Sequence, residues 1–323
     1  MWLITGAAGF VGSCMVGFLN KQGINDLLLA DNFEQIPKWQ NLKGKQFYKT
    51  IDRELLFEYL QQQKLPIQKV IHLGARTDTT DANPEIFQHL NFDYSKKIWN
   101  FCTQHQIPLV YASSAATYGN GHYGYNDTHD LPPLLQPLNQ YGKSKNDFDC
   151  WALTQHEQPP RWYGLKFFNV YGPNEYHKNR MASVVFHAFQ QIKKQQSVSL
   201  FRSHRPDFED GQQLRDFIYV KDVVAICHFL AGNQLAPSGL YNVGTGQARS
   251  FNDLAKSVFD AMQLPTRINY IDTPSDIREN YQYFTQANMD KLLQLAQYSK
   301  PSTSLEQGIE EYVCQYLMYG LYW

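Results

Sequence analysis

The sequence predicts an α/β fold: a doubly wound parallel sheet with a smaller, discontinuous α/β domain beside it. Three observations carry this. Through the first half, short apolar runs alternate with segments of helical spacing, the pattern of strands joined by crossover helices. The first apolar run meets a glycine-rich turn that opens an amphipathic segment. The alternation then breaks at Tyr171-Gly172-Pro173-Asn174. The expected division is a dinucleotide-binding domain over residues 1–170, with 214–240 returning to it. The substrate domain is expected over 171–323, mainly 171–213 and 241–323.

The apolar run Trp2 to Ile4 leads into Gly6, Gly9 and Gly12, spaced G-x-x-G-x-x-G. An amphipathic helix follows from Ser13 to Gly23, with Val11, Met15, Phe18 and Leu19 on one face. Glycines suit a sharp turn that lets a diphosphate approach the backbone, and the helix start then offers N–H groups to the phosphate. This is the Rossmann-type arrangement, although a glycine turn also serves plain packing. A second strand, Ile24 to Ala30, ends at Asp31. An acidic residue about twenty positions past the last glycine is placed to reach the adenosine ribose. A polar loop is expected over 32–43, a strand over 46–51 and a helix over 53–64. The next strand, Lys69 to Leu73, ends in Gly74-Ala75-Arg76-Thr77-Asp78, a loop at a carboxyl strand end and so a site candidate. A helix over 91–104, with Tyr94, Ile98 and Phe101 inward, precedes the strand Leu109 to Ala112. Further on, Phe217 to Val220 reads as a strand and Asp222 to Leu230 as a helix, together returning to the sheet. Helices are expected over 252–262 and 305–317.

Composition removes several classes of function. A net charge of −1 gives no electrostatic reason to expect nucleic acid or an anionic membrane as partner. The five cysteines are scattered, odd in number and without a C-x-x-C pair, which suits a reducing compartment and offers no cysteine-rich metal site. No apolar run approaches the length of a membrane span. A cytoplasmic protein with no metal ligands is the expectation.

Tyr111-Ala112-Ser113-Ser114 puts two serines at a strand end, and Tyr141-Gly142-Lys143-Ser144-Lys145 begins a helix. Tyr141 and Lys145 are four apart and share one helical face. Of 21 tyrosines, Tyr141 alone has a lysine four residues later. A nearby ammonium favours phenolate and is expected to lower the tyrosine pKa toward neutrality. Tyr141 then suits proton exchange with a substrate hydroxyl during hydride transfer. Ser114 would bond the same oxygen, and Lys145 would hold the nicotinamide ribose. An exposed helical Tyr/Lys pair is the plain alternative.

Gly6-x-x-Gly9-x-x-Gly12, Ser114, Tyr141-x-x-x-Lys145 and Asn169-Val170-Tyr171-Gly172-Pro173 together resemble the extended short-chain dehydrogenase/reductases, which act on nucleotide sugars. Within them the chain is most similar to the branch that epimerises ADP-heptoses at C6. The matching runs are Tyr111 to Gly119, Phe168 to Glu175 with His177-Lys178 and Met181 to Val184, Arg215 to Val220, and Tyr281 to Ala287. The resemblance implies transient oxidation at C6 and re-reduction from the other face by a tightly held, recycled cofactor. It makes Lys178 a second proton donor, where the residues alone equally fit a solvated loop lysine. It implies cofactor contacts at Phe10, Val11, Asp31, Asn32, Lys38, Asn91, Lys145 and Val170. It also implies substrate contacts at Asn169, His187, Phe201, Arg215 and Tyr281, with core packing and a salt bridge as alternatives for Phe201 and Arg215. Lys38 and Arg53 are cationic where the 2′-phosphate of NADP would lie, whereas Asp31 favours NAD. Two cations against one carboxylate lean to NADP. Family members form homo-oligomers, often pentamers.

The sequence departs from that branch near the sugar site. Arg180, at a substrate-contacting position, replaces a small polar residue; the 74–78 loop is more charged; and 203–213 is longer. A UDP- or dTDP-sugar 4-epimerase or dehydratase therefore stays open, although Ala115-Ala116 stands where dehydratases carry Asp-Glu. A non-catalytic cofactor-sensing module is a further alternative, against which Tyr141 and Lys145 both persist.

Overall fold

The computed structural model describes residues 1–34, 36–274, 278 and 281–323. The strands in chain order are β1 (Trp2–Thr5), β2 (Leu27–Asp31), β3 (Lys49–Asp52), β4 (Lys69–His72), β5 (Leu109–Ser114), β6 (Trp162–Phe167), β7 (Asn169–Tyr171), β8 (Val198–Phe201), β9 (Leu214–Tyr219), β10 (Gly239–Val243), β11 (Ala248–Ser250) and β12 (Ile268–Ile271). Seven form one parallel sheet in the order β10-β6-β5-β4-β1-β2-β3. Their apolar runs are continuous, as Leu27-Leu28-Leu29-Ala30 shows, because helices cover both faces. The strand order reverses between β1 and β4, and ligands bind at the carboxyl ends beside such a switch. Two small sheets, β11-β9-β7 and β12-β8, stand apart from it.

The glycine turn is fixed by contacts as well as by dihedral angles. Gly6 has φ +66°, and a Cβ on Gly12 would lie 2.0 Å from Gly6 O. The helix Phe10–Lys21 can therefore start hard against β1. It is buried nearly all round, with Cys14, Met15, Val16 and Leu19 inaccessible, while Val11 and Phe18 are half-buried.

Three segments differ from the expectation. The stretch 32–43 is not wholly loop: it contains the helical turns Ile36–Trp39 and Gln40–Leu42. Helix formation before Gln104 begins at Pro84 rather than at residue 91. Asn83 caps it, its side chain accepting from Glu85 N, and Pro84 takes the first helical position. The strand β9 joins the three-stranded sheet, and it is β10 that returns to the main sheet beside β6. The helix Val220–Gly232 between them carries Val223, Val224, Cys227 and Leu230 into the same core as the helix Phe10–Lys21. Alternation marks a strand but not its neighbour, since pairing is settled by long-range packing. At the other end, Tyr312 and Tyr316 are core and Tyr319 is exposed.

Replacing Gly12 by Ala pushes a methyl into Gly6 O. The expected cost is roughly 1–3 kcal/mol, read as a lower urea midpoint against the parent chain.

Candidate active site

The carboxyl ends of β1, β2, β4, β5 and β6 open into a cavity of about 910 Å³. Among its lining residues, six Lys or Arg side chains (Lys38, Arg53, Arg76, Lys145, Lys178, Arg180) face two carboxylates, Asp31 and Asp78. A chain of net charge −1 has thus gathered positive charge at one place, which suits a ligand bearing several phosphates.

The cradle at β1 fits such a ligand. Gly6, Gly9, Phe10, Val11 and Gly12 line the cavity. Gly9 gives the helix no side-chain cap, and its first turn holds no acidic residue, so its leading N–H groups and positive dipole end are left to a phosphate. Asp31 is buried and engaged: one carboxylate oxygen accepts from Ala8 N at 2.9 Å, the other from Asn32 N at 2.7 Å and Lys38 Nζ at 3.3 Å. Arg53 and Asn32 line the same end, and Val170 lines the cavity as well.

Tyr141 and Lys145 lie on the helix Gln140–Leu153, capped by Asn139, whose Oδ1 accepts from Gly142 N at 2.8 Å. Gly142 allows this helix to press on the turn after β5; a Cβ there would stand 2.7 Å from Ala116 O. Ser114 closes β5, its Oγ accepting from Ala116 N. Tyr141, Lys145 and Ser114 share the cavity wall with Asn169, Lys178 and Arg180. The electrostatics differ from the sequence expectation. Burial holds the Tyr141 phenol above its ordinary range, a hydrogen bond from Ser114 offsets part of the rise, and Asp149 adds to it. Lys145 does not supply the lowering: its Nζ donates to Ala112 O at 2.7 Å, and burial pushes it down to about 8, against the pull of Asp149. Desolvation outweighs the ammonium's influence on the phenol here.

Behind this wall lies an ion pair, Lys166 Nζ to Asp149 Oδ2 at 2.7 Å, with side-chain exposures of 1% and 0%. Asp149 also accepts from Ser113 Oγ at 2.6 Å and Tyr111 OH at 3.0 Å, and Lys166 donates to Thr117 Oγ1 at 2.8 Å. Ser113 and Lys166 are register partners on β5 and β6, so their side chains point to one face. Neither charge was singled out from sequence, because a lysine in an apolar strand gives no sign of its partner.

Residues 2–244 match the model of the NAD dependent epimerase/dehydratase family. The chain belongs to that family. It is similar over its length to ADP-L-glycero-D-manno-heptose-6-epimerases: 46% identical to that of Fusobacterium nucleatum, with 98% of each chain covered. It is 43% identical to that of Nitratidesulfovibrio vulgaris, again over 98% of each. Among solved structures, the Helicobacter pylori ADP-L-glycero-D-manno-heptose-6-epimerase superposes with a TM-score of 0.81 at 30% identity, covering 97% of this chain and 94% of that one.

Not every residue the family resemblance points to meets the cavity. Asn91 is fully buried behind it, accepting from Arg76 N at 2.7 Å and donating to Ser144 Oγ at 2.9 Å. It holds the 74–78 loop to the Tyr141 helix, which makes it a positioning residue. His187, Phe201, Arg215 and Tyr281 are absent from the lining. Three of them form a cluster: the Arg215 guanidinium lies 5.4 Å from the Tyr281 ring and 5.6 Å from that of Phe251, and Tyr281 meets Phe201 edge-on. Phe251 itself lines the cavity, so this cluster stands one ring behind it. Arg180, in contrast, is two-thirds exposed and reaches Asp78 at 3.1 Å, joining its own loop to that after β4. His177, part of the run that carries the resemblance but given no role there, also lines the cavity. Burial pushes it down to about 4, with Lys38 and Lys178 adding to the effect. Burial likewise lowers Lys178, opposed by Glu175.

Replacing Asp149 by Asn leaves Lys166 buried without a counter-charge. The expected loss is about 3–5 kcal/mol of stability, measured by urea denaturation. Since the Asp149 carboxylate raises Lys145, its removal moves the Lys145 titration, followed by ¹³C NMR at Cε, below the about 8 of the parent chain.

Proposed function

We propose that this chain inverts C6 of ADP-glycero-D-manno-heptose, converting the D-glycero to the L-glycero form with a tightly held dinucleotide. The observation that carries the reading is that Tyr141 and Lys178, two groups able to move protons, line one cavity in a chain 46% identical to a heptose epimerase over nearly its full length. Bound oxidised dinucleotide supplies a hydride acceptor that later returns the same hydride, so no net redox change occurs. The bare helix start at Phe10 to Gly12 and the cations Lys38 and Arg53 would hold it, with Lys145 at its ribose.

Tyr141 takes the proton of the substrate hydroxyl at C6, with Ser114 bonded to the same oxygen. Burial holds the Tyr141 phenol above its ordinary range; a positive charge entering the cavity moves it toward phenolate. Once the sugar has turned, its other face needs a proton donor from elsewhere. Lys178 fills that role: its Nζ lies 5.5 Å from the Phe10 ring at the glycine turn. Asn169 and Arg180 flank the sugar, and the cluster of Arg215, Tyr281 and Phe201, with His187, serves the nucleotide end. The sheet with its cofactor cradle forms the dinucleotide half, and most of the chain after residue 170 forms the sugar half. By the same resemblance the chain works in the cytoplasm as a homo-oligomer. No helix among the described residues is long and apolar enough to cross a membrane.

NADP is the favoured dinucleotide. Lys38 neutralises Asp31, which weakens the repulsion of a 2′-phosphate, and Arg53 adds a second cation beside it. Denaturing the purified chain and weighing the released nucleotide tests this: NADP is expected, and NAD alone overturns the preference.

Proton NMR with ADP-D-glycero-D-manno-heptose and no added cofactor is expected to show the C6 epimer growing in. Tyr141→Phe and Lys178→Met each lower turnover by about 10²–10⁴-fold. Full activity in Lys178→Met would remove the two-donor scheme, and a parent chain inert toward this sugar would remove the heptose assignment.

A further inference from the structure

The turn Tyr176–Met181 carries Lys178, yet none of its residues is buried. Its position is therefore inherited from what flanks it. Asn174 and Asn179 hold φ of +76° and +49°, a region that costs energy for any residue but glycine and persists only where the surroundings impose it. Glu175, fully buried, closes the loop from within: its carboxylate accepts from Ser183 Oγ at 2.7 Å, Ser183 N at 2.5 Å and Gly172 N at 3.4 Å. The other hold on this loop comes from a segment almost 150 residues further along the chain.

Asn174 is fully buried and uses its whole amide. Its Nδ2 donates to Trp323 O at 2.9 Å and to Ser13 Oγ at 3.0 Å, while its Oδ1 accepts from Trp323 N at 2.9 Å. A backbone N–H can only donate and a carbonyl only accept, so the amide fits in one orientation. Trp323 is held on other sides as well. Lys45 donates to its oxygen, and the Lys21 and Lys221 ammonium groups each lie 4.7 Å from its ring. Two residues past Asn174, Tyr176 OH donates to Leu321 O at 2.7 Å, and its ring meets Tyr322 edge-on at 5.0 Å. Ser13 and Lys21 belong to the helix Phe10–Lys21, whose Cys14 also donates to Pro173 O at 3.4 Å. Residues 321–323 thus fasten positions 174 and 176 to the helix that starts at the glycine turn. The Lys178 ammonium lies over Phe10, the first residue of that helix.

We propose that Asn174, clasping Trp323, and Tyr176, held by Leu321, are positioning residues for Lys178, fixing its turn against the helix Phe10–Lys21. The inference rests on reading Lys178 as the second proton donor. It assigns the segment Leu321–Trp323 a part in the site without any contact to substrate.

The test uses the full chain with Asn174→Gly, which suits the positive φ while removing the amide, and with Tyr176→Phe, which removes only the bond to Leu321. Urea midpoints establish that each variant folds. With ADP-D-glycero-D-manno-heptose, Asn174→Gly is expected to lower kcat roughly 10–100-fold, the effect of displacing a reacting group by about an ångström. Tyr176→Phe is expected to lower it less. In a Lys178→Met chain the same substitutions change the residual turnover by less than about twofold, because the group they place is gone. A second readout needs no sugar. Burial holds the Lys178 ammonium below the ordinary lysine range, with Glu175 opposing. In Asn174→Gly its titration, followed by ¹³C NMR at Cε, is expected to move up toward that range as the side chain gains solvent. An unchanged titration overturns the proposal, as does an equal change of turnover in the parent and Lys178→Met backgrounds. Should Asn174→Gly fail to fold, Tyr176→Phe decides by the same two readouts. A parent chain inert toward the sugar removes the heptose reading and leaves the titration as the deciding measurement.

Discussion

The buried pair of Asp149 and Lys166 is the constraint on which the cavity wall of Tyr141, Lys145 and Ser114 depends. Two opposite charges with almost no solvent contact are tolerable only when their remaining hydrogen-bonding capacity is used. Here it is used by the elements that must be aligned. Asp149 comes from the Tyr141 helix, Lys166 from β6, Tyr111 and Ser113 from β5, and Thr117 from the turn that follows Ser114. Gly164 belongs to the same device, because a Cβ there would stand 2.3 Å from the Tyr111 hydroxyl. Ser114 thereby meets Tyr141 through a fixed scaffold rather than through side-chain adaptability, the kind of support that a reacting geometry requires.

A second buried network ties the end of β1, beside the glycine turn, to the same helix. Gly74 N donates to Thr5 Oγ1, Thr5 Oγ1 meets His72 Nδ1 at 2.6 Å, and His72 Nε2 meets Ser95 Oγ at 2.9 Å. Ser95 donates to Asn91 O, and the Asn91 side chain continues to Arg76 and Ser144. Burial pushes His72 down to about 3, with Lys145 adding to the effect, so this ring is a neutral link. Of the cavity's cations, Lys38 pairs with Asp31, Arg53 with Glu54, Arg76 with Asp78 and Asp81, and Arg180 with Asp78, whereas Lys145 and Lys178 have no carboxylate partner among the described ion pairs. Tyr141 and Lys145 are thus held from behind by groups whose charges cancel, as in Asp149 and Lys166, or are absent, as in the His72 ring.

Much of the first half was legible from residue order. Short continuous apolar runs bounded by turn residues fit strands covered on both faces, and the glycine turn marks where a strand gives way to a helix, so β1, β2, β4 and β5 and the turn after β1 followed directly. The Tyr141 and Lys145 pair was legible because helical spacing puts them on one face whatever surrounds them. The strand Phe217 to Val220 was found but given the wrong neighbours, since the next residues to pair with β6 come later, at Gly239 to Val243. The helix start at Asn83-Pro84-Glu85 carried a readable cap that periodicity from residue 91 obscured.

The sequence by itself determined most of the elements, the glycine turn and the placing of Tyr141 and Lys145 on one helical face, because these depend on spacing along a few turns of chain. Tertiary structure alone decided in which direction the pKa values of those groups move and which of them meet. Burial raised Tyr141 where spacing alone implied a fall, and turned Lys145 to a backbone carbonyl. It set Arg215 and Tyr281 one ring behind the cavity, and brought Trp323 to Asn174. Desolvation and long-range contact act between residues far apart in the chain, and no local pattern encodes their sum.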